Sequence, residues 1–172
     1  RAALAAVVRK AMTPAGVRAP RRIVAATANP KKLAEVASIF AEAVDGVELV
    51  GRPVDLADVD ETGSTLAENA ALKAVAVAAH SGLPAIADDT GLEVDAMDGA
   101  PGVFSARFAG PDAVDADNVR LLLSRLDGTS PADRTARFRT VICLARPDGT
   151  TEFAEGVCEG TIIEAPVGAN GF

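Results

Sequence analysis

A short apolar run, residues 22–27, breaks off at Asn29-Pro30, and from Pro30 to Ala43 the apolar side chains Leu33, Val36, Ala37 and Phe40 recur at helical spacing. This change of hydrophobic period restricts the fold more than any other feature, because a buried strand that feeds straight into a helix belongs in a layered sheet. The same alternation continues along the chain. A strand near Val47–Val50 leads through an acidic, proline-containing loop to Thr65 and Glu68, spaced as a capping box for a helix that runs to about His80 and stops at Gly82. The apolar run Leu83–Ala87 is a third strand ending in Asp88 and Asp89; a turn at Thr90-Gly91 and a short strand through Leu92, Val94 and Ala96 follow. A helix over about Asp115–Leu126 carries acids at its start and Arg125 near its end, as the helix dipole favours. Two long strands, about Ala136–Ala145 and Thr151–Val157, face each other across Pro147-Asp148-Gly149 as a hairpin. The expected fold class is α/β, a mixed sheet with helices on both faces. Residues 1–21 read differently: an Ala-rich helix over residues 2–12 and then a Pro- and Arg-rich linker, ahead of one domain over residues 22–172.

At 172 residues the chain can bury a core without disulfides. Its formal net charge of −7 argues against a polynucleotide partner, which needs a clustered basic surface. A small nucleotide arriving with its own Mg²⁺ is not excluded by that acidity. Cys143 and Cys158 form no CxxC or Cys/His pattern, so reduced, buried thiols and a cytoplasmic setting are expected. No apolar run reaches the length of a membrane span. The lone His80, beside Gly82, suits a helix C-terminal cap rather than catalysis.

Four segments carry chemistry. Thr27 to Lys32 leaves a strand and opens a helix, where free amides, the helix dipole, Lys31 and Lys32 make an anion site, although an ordinary capped helix has the same pattern. Asp60-Glu61-Thr62-Gly63 places two acids before a turn, as a metal-binding or merely solvated acidic loop. Asn69 and Lys73 lie four apart on one helical face. Asp88-Asp89-Thr90-Gly91 ends an apolar strand with paired carboxylates, which repel one another and favour a raised pKa or a bound divalent cation. The tripeptide Asp89-Thr90-Gly91 also occurs in aspartic proteases, but those are built almost wholly of β strands, and this chain is rich in helices.

The order and spacing of ATxNxxK at residues 26–32, ETGxTxxENAxxKA at 61–74, ADDTGLxVDAxxGAPGVxSARxAG at 87–110 and GANGF at 168–172 closely resemble the non-canonical purine NTP pyrophosphatases. That resemblance, over residues 22–172, implies two lobes around an active-site cleft, a homodimer, and Mg²⁺-dependent hydrolysis of ITP, dITP and XTP to the monophosphate and pyrophosphate. It implies Asp89 as catalytic proton acceptor. Substrate contacts would come from Thr27, Asn29, Lys31, Lys32, Lys73, Thr90 and Phe172, and metal ligands from Asp60, Glu61, Asp88 and Asp89. Asp60 stands where the family has a glutamate, which leaves open whether Asp60 or Glu61 is the main metal ligand. Phe104 and Phe108 stand where the family often has tyrosines. The family continues past the GF with a GYDPxF segment and an SHR-containing helix that help recognise the base, so a domain truncated at its C-terminus is expected, with a binding-only Mg-nucleotide module as the alternative. The Maf-type pyrophosphatases open on a Ser- and Arg-rich turn that residues 27–32 lack.

Overall fold

A computed structural model describes residues 21–27, 29–43, 46–168 and 171. The expected helix and linker of residues 1–21 lie outside these residues, Arg21 excepted. In chain order the elements are β1 (Arg21–Ala25), α1 (Pro30–Ala43), β2 (Val47–Val50), α2 (Leu66–Ser81), β3 (Ala85–Val94), β4 (Pro101–Gly102), α3 (Asp115–Arg125), β5 (Thr135–Ala145) and β6 (Thr151–Thr161), with one-turn 3-10 helices at Asp95–Met97, Ser105–Arg107 and Pro131–Asp133. The sheet runs in the order β2-β1-β3-β5-β6, with β4 paired to β3. β1 is parallel to β2 and to β3, while β4 is antiparallel to β3, so the sheet is mixed as expected. Among the described residues no helix is long and apolar enough to cross a membrane.

The described residues divide into two compact units. One holds residues up to Asp89 together with Val141–Glu155; the other holds Thr90–Thr140 and the residues from Gly156 on. In the first unit the two-residue period of the strands sorts side chains onto opposite faces. Val24, Ala26, Ala85, Ala87, Cys143 and Ala145 pack with Ala70, Ala74, Val77 and Ala78 of α2. Their neighbours Ile23, Ile86 and Leu144 pack instead with Phe40 and Val36 of α1. Alanine dominates the first of these layers, which brings the α2 backbone close to the sheet; larger side chains fill the second. That close approach sets Asn69 and Lys73 of α2 against Asp89 in β3.

Local signals place α2 firmly. The Thr65 side chain accepts the Glu68 N–H, and Glu68 returns the bond to the Thr65 N–H, which is the expected capping box. Gly82 closes the helix in the left-handed region at φ 66°, and its N–H donates to the Ala78 carbonyl. With glycine serving as cap, His80 has another role: its Nε2 lies 3.1 Å from Asp55 Oδ2. Asn29 caps α1 by accepting the Lys32 N–H at 3.4 Å.

In the second unit Leu92, Val94, Leu122, Leu126 and Ala136 form the core. The expected turn at Thr90-Gly91 is absent, because β3 runs unbroken through both residues. A Cβ at Gly91 would lie 2.4 Å from the Gly102 carbonyl oxygen, so this glycine lets two backbones approach rather than reverse the chain. The hairpin forms as expected, with the Arg146 N–H donating to Thr150 and the Gly149 N–H to Arg146. β6 extends beyond the expected Val157 to Thr161. Cys143 is buried, whereas Cys158 is exposed, contrary to the expectation for both thiols; it lies on β6, most of whose later residues face solvent.

Candidate active site

The first unit gathers the expected polar residues just past the C-terminal end of β1, along one face of α2 and at Asp88 and Asp89, which stand within β3 rather than at its end as expected. Lys73, one turn after Asn69 on α2, places its Nζ 2.7 Å from Glu61 Oε1 and 3.4 Å from Asp89 Oδ1. Asn69, wholly buried, accepts the Gly63 N–H at 2.8 Å through Oδ1 and donates from Nδ2 to Asp89 Oδ2 at 3.3 Å. One helix turn thus ties the 60–63 loop to the carboxylate at the end of the apolar run of β3. Gly63 is part of this device, since a Cβ there would lie 2.6 Å from Asn69 Oδ1. Next to Asp89 on the same strand, Asp88 Oδ2 meets Lys32 Nζ of α1 at 2.5 Å. Thr27 accepts the Asn29 N–H at 3.1 Å and so shapes the loop that carries both residues.

Burial pushes the Asp89 carboxyl above its ordinary pKa; Lys73 opposes the shift and Glu61 adds to it. Lys73 is itself raised: burial disfavours its charge, but its hydrogen bond to Glu61 and the charges of Asp89, Glu61 and Asp88 outweigh that. Asp89 therefore holds a proton more readily than a surface aspartate, as a general base must.

A pocket of about 390 Å³ opens beside these residues, lined in part by Thr27, Asn29, Lys32, Glu61, Lys73 and Asp88. Of the two adjacent loop acids, Glu61 lines it, while Asp60 is exposed and offers its carbonyl to the Thr62 N–H. Thr90 begins the second unit, where its Oγ1 meets Thr140 Oγ1 at 2.8 Å. The Lys31 side chain and Phe172 lie outside the described residues. Glu68 is taken up by the cap: Ser64 and Thr65 donate to its carboxylate and hold it below its ordinary pKa.

The donors that could hold a metal are all carboxylate oxygens, and Glu61 and Asp89 already converge on a single cation, the Lys73 ammonium. Hard oxygen donors suit Mg²⁺, which takes one or two carboxylates and completes its shell with water and phosphate oxygens. Among the described residues no three His, Cys, Asp or Glu side chains are grouped to hold a metal. A divalent ion at this site would thus draw further ligands from substrate and water.

One participant, Arg52, and one role, the bridge that Asn69 makes, escape a reading of the sequence. Arg52 lines the pocket from a loop whose acids alone attract notice. Asn69 shares the Lys73 face, but its link between Gly63 and Asp89 spans a contact of 20 residues in sequence.

The profile of the Ham1 family matches residues 23–172. A dITP/XTP pyrophosphatase of Exiguobacterium sp. is 49% identical over 151 residues, 88% of this chain and 76% of that protein. One from Streptomyces avermitilis is 48% identical over 153 residues, again 88% and 76%. Among solved structures, a HAM1 protein from Coxiella burnetii is similar with a TM-score of 0.79 and 39% identity, covering 88% of this chain and 78% of that one. A nucleoside-triphosphatase / dITP/XTP pyrophosphatase from Mycobacterium abscessus gives a TM-score of 0.72 and 41% identity, with 88% and 79% covered.

Proposed function

The chain belongs to the Ham1 family, and on that premise we propose that it is a nucleoside-triphosphate pyrophosphatase that hydrolyses the non-canonical purine nucleotides dITP, ITP and XTP to the monophosphate and pyrophosphate. The observation that carries the reading is Asp89, a carboxylate with raised proton affinity held by Asn69 and Lys73 beside a cation-lined pocket.

The chemistry follows from those positions. Asp89 takes a proton from a water molecule as its oxygen bonds to the α-phosphorus, and the bond from that phosphorus to the bridging oxygen breaks to release pyrophosphate. Lys32 and Lys73 bind the phosphates and oppose the negative charge that grows on the leaving group. Thr27 and Asn29 shape the loop before α1, whose first amides face the same anion. Thr90 and the Lys31 and Phe172 side chains belong to the substrate-binding set in this reading. Asp60, Glu61, Asp88 and Asp89 are the candidate holders of Mg²⁺, which when bound offsets phosphate charge and lowers the pKa of water. No covalent intermediate is needed. The working enzyme is a cytoplasmic homodimer in this reading, with no polynucleotide or membrane partner, and sedimentation of the purified protein tests the assembly.

The deciding experiment is pyrophosphate release from ITP, XTP, ATP and GTP, with Mg²⁺ and with a chelator. Mg²⁺-dependent release that favours ITP and XTP supports the reading. A folded protein that binds these nucleotides yet releases nothing is instead a binding module.

A further inference from the structure

We infer that Arg52 is a third phosphate-binding cation of the active-site pocket, held by Asp58 until an anion takes its place. The choice of phosphate as the anion rests on the hydrolase reading. Three cation–carboxylate pairs line the pocket: Lys32 with Asp88, Lys73 with Glu61, and Arg52 with Asp58. The first two involve residues already placed in the site; the third does not.

The Arg52 pair is lopsided. Arg52 Nη1 lies 2.7 Å from Asp58 Oδ1, and the arginine side chain is only 14% exposed while that of Asp58 is 89% exposed. A carboxylate so open to water is screened and holds its partner weakly. Nη2 donates to the Leu56 carbonyl. These contacts engage two of the five N–H donors of a planar guanidinium, whose fork matches phosphate oxygens two at a time. The backbone favours such a role, because Pro53 restricts Arg52 to extended conformations and so limits the directions its side chain can take.

The rest of the lining supports a polyphosphate rather than a base. The remaining walls include Ala26, Val59, Val77 and Ala87, and no aromatic side chain is present for a purine to stack on. A triphosphate entering between Lys32 and Lys73 carries more negative charge than Asp58 and meets the guanidinium away from bulk water, so it displaces the weaker partner.

The test uses inorganic tripolyphosphate with Mg²⁺, its binding measured calorimetrically on the wild-type chain, Arg52→Gln and Asp58→Asn. Loss of a charge-assisted, two-pronged contact predicts binding weakened about tenfold or more in Arg52→Gln. Asp58→Asn, which releases the guanidinium, should bind as tightly as wild type or more tightly. An arginine that merely clips the loop would make both variants lose affinity together, and that result overturns the inference. So does wild-type affinity in Arg52→Gln, or no tripolyphosphate binding by the wild-type chain. Should Arg52→Gln fail to fold, Arg52→Lys keeps the charge, loses the fork and takes its place with a smaller expected loss. Pyrophosphate release from ITP, followed in parallel, separates the two ideas. Arg52-dependent binding without hydrolysis sinks the hydrolase reading alone, and hydrolysis with Arg52-independent binding sinks this one alone.

Discussion

Asn69 can sit only one way round. Its oxygen must accept the Gly63 N–H, which leaves the amide nitrogen to face Asp89. Replacing it with leucine strands a peptide donor and loosens the carboxylate together, so Asn69→Leu should lower stability by about 1–3 kcal/mol in urea titrations and depress kcat as well. Asp89→Asn keeps the shape but cannot accept a proton. Turnover should fall about 10²–10⁴-fold while circular dichroism stays that of the wild type, and near-normal activity would remove Asp89 from its role. Lys32→Ala acts on binding, raising KM with a smaller effect on kcat, because the lost partner is an anion present before and after the reaction. The carboxylates and lysines of this site were legible as residues, since Asp88-Asp89, Glu61 and Lys73 have types and spacings that point to phosphate chemistry. Arg52 and the bridging role of Asn69 were not, because each depends on what stands opposite it.

At the scale of elements, the three described α-helices lie where their local signals put them, and β3 does not end where its signals put it. α1 begins at Pro30 and α2 ends before Gly82 because a proline, a capping box and a left-handed glycine act within a few residues of the boundary they mark. Removing the Thr65 hydroxyl should cost about 1 kcal/mol, measured as a lower urea midpoint for Thr65→Ala. β3 shows the opposite situation. Asp-Thr-Gly reads as a turn by its local chemistry, yet Gly91 is needed for the approach of Gly102 on β4, which pairs in register with the next residue, Leu92. Gly91→Ala forces a methyl to 2.4 Å from a backbone oxygen that cannot rotate away. A loss of about 1–3 kcal/mol is expected by the same titration, larger than a glycine-to-alanine change in an open turn would give.

For the molecule as a whole, stability should carry the mark of its buried thiol. Burial pushes the Cys143 pKa up from 9.0 to about 11. A group whose folded pKa exceeds its unfolded value contributes fully below the unfolded pKa and loses that contribution as pH rises through the folded one. Stability should therefore decline between about pH 9 and pH 11 by up to roughly 2–3 kcal/mol, and Cys143→Ala should flatten the curve in that window relative to wild type. The thiol is buried because alternate residues of β5 pass to opposite faces of the sheet, Cys143 and Ala145 towards α2 and Leu144 towards α1. The α/β class, the limits of the described helices, the hairpin and the candidates Asp88-Asp89, Glu61, Lys32 and Lys73 were written in local pattern, since caps, turns and hydrophobic period act over a few positions. Folding alone decided that β3 is one strand, that Glu61 rather than Asp60 meets Lys73, that Cys158 is exposed, and that Arg52 belongs to the pocket. Those outcomes depend on residues distant in sequence becoming neighbours, and burial, pairing and shifted proton affinity arise only when they do.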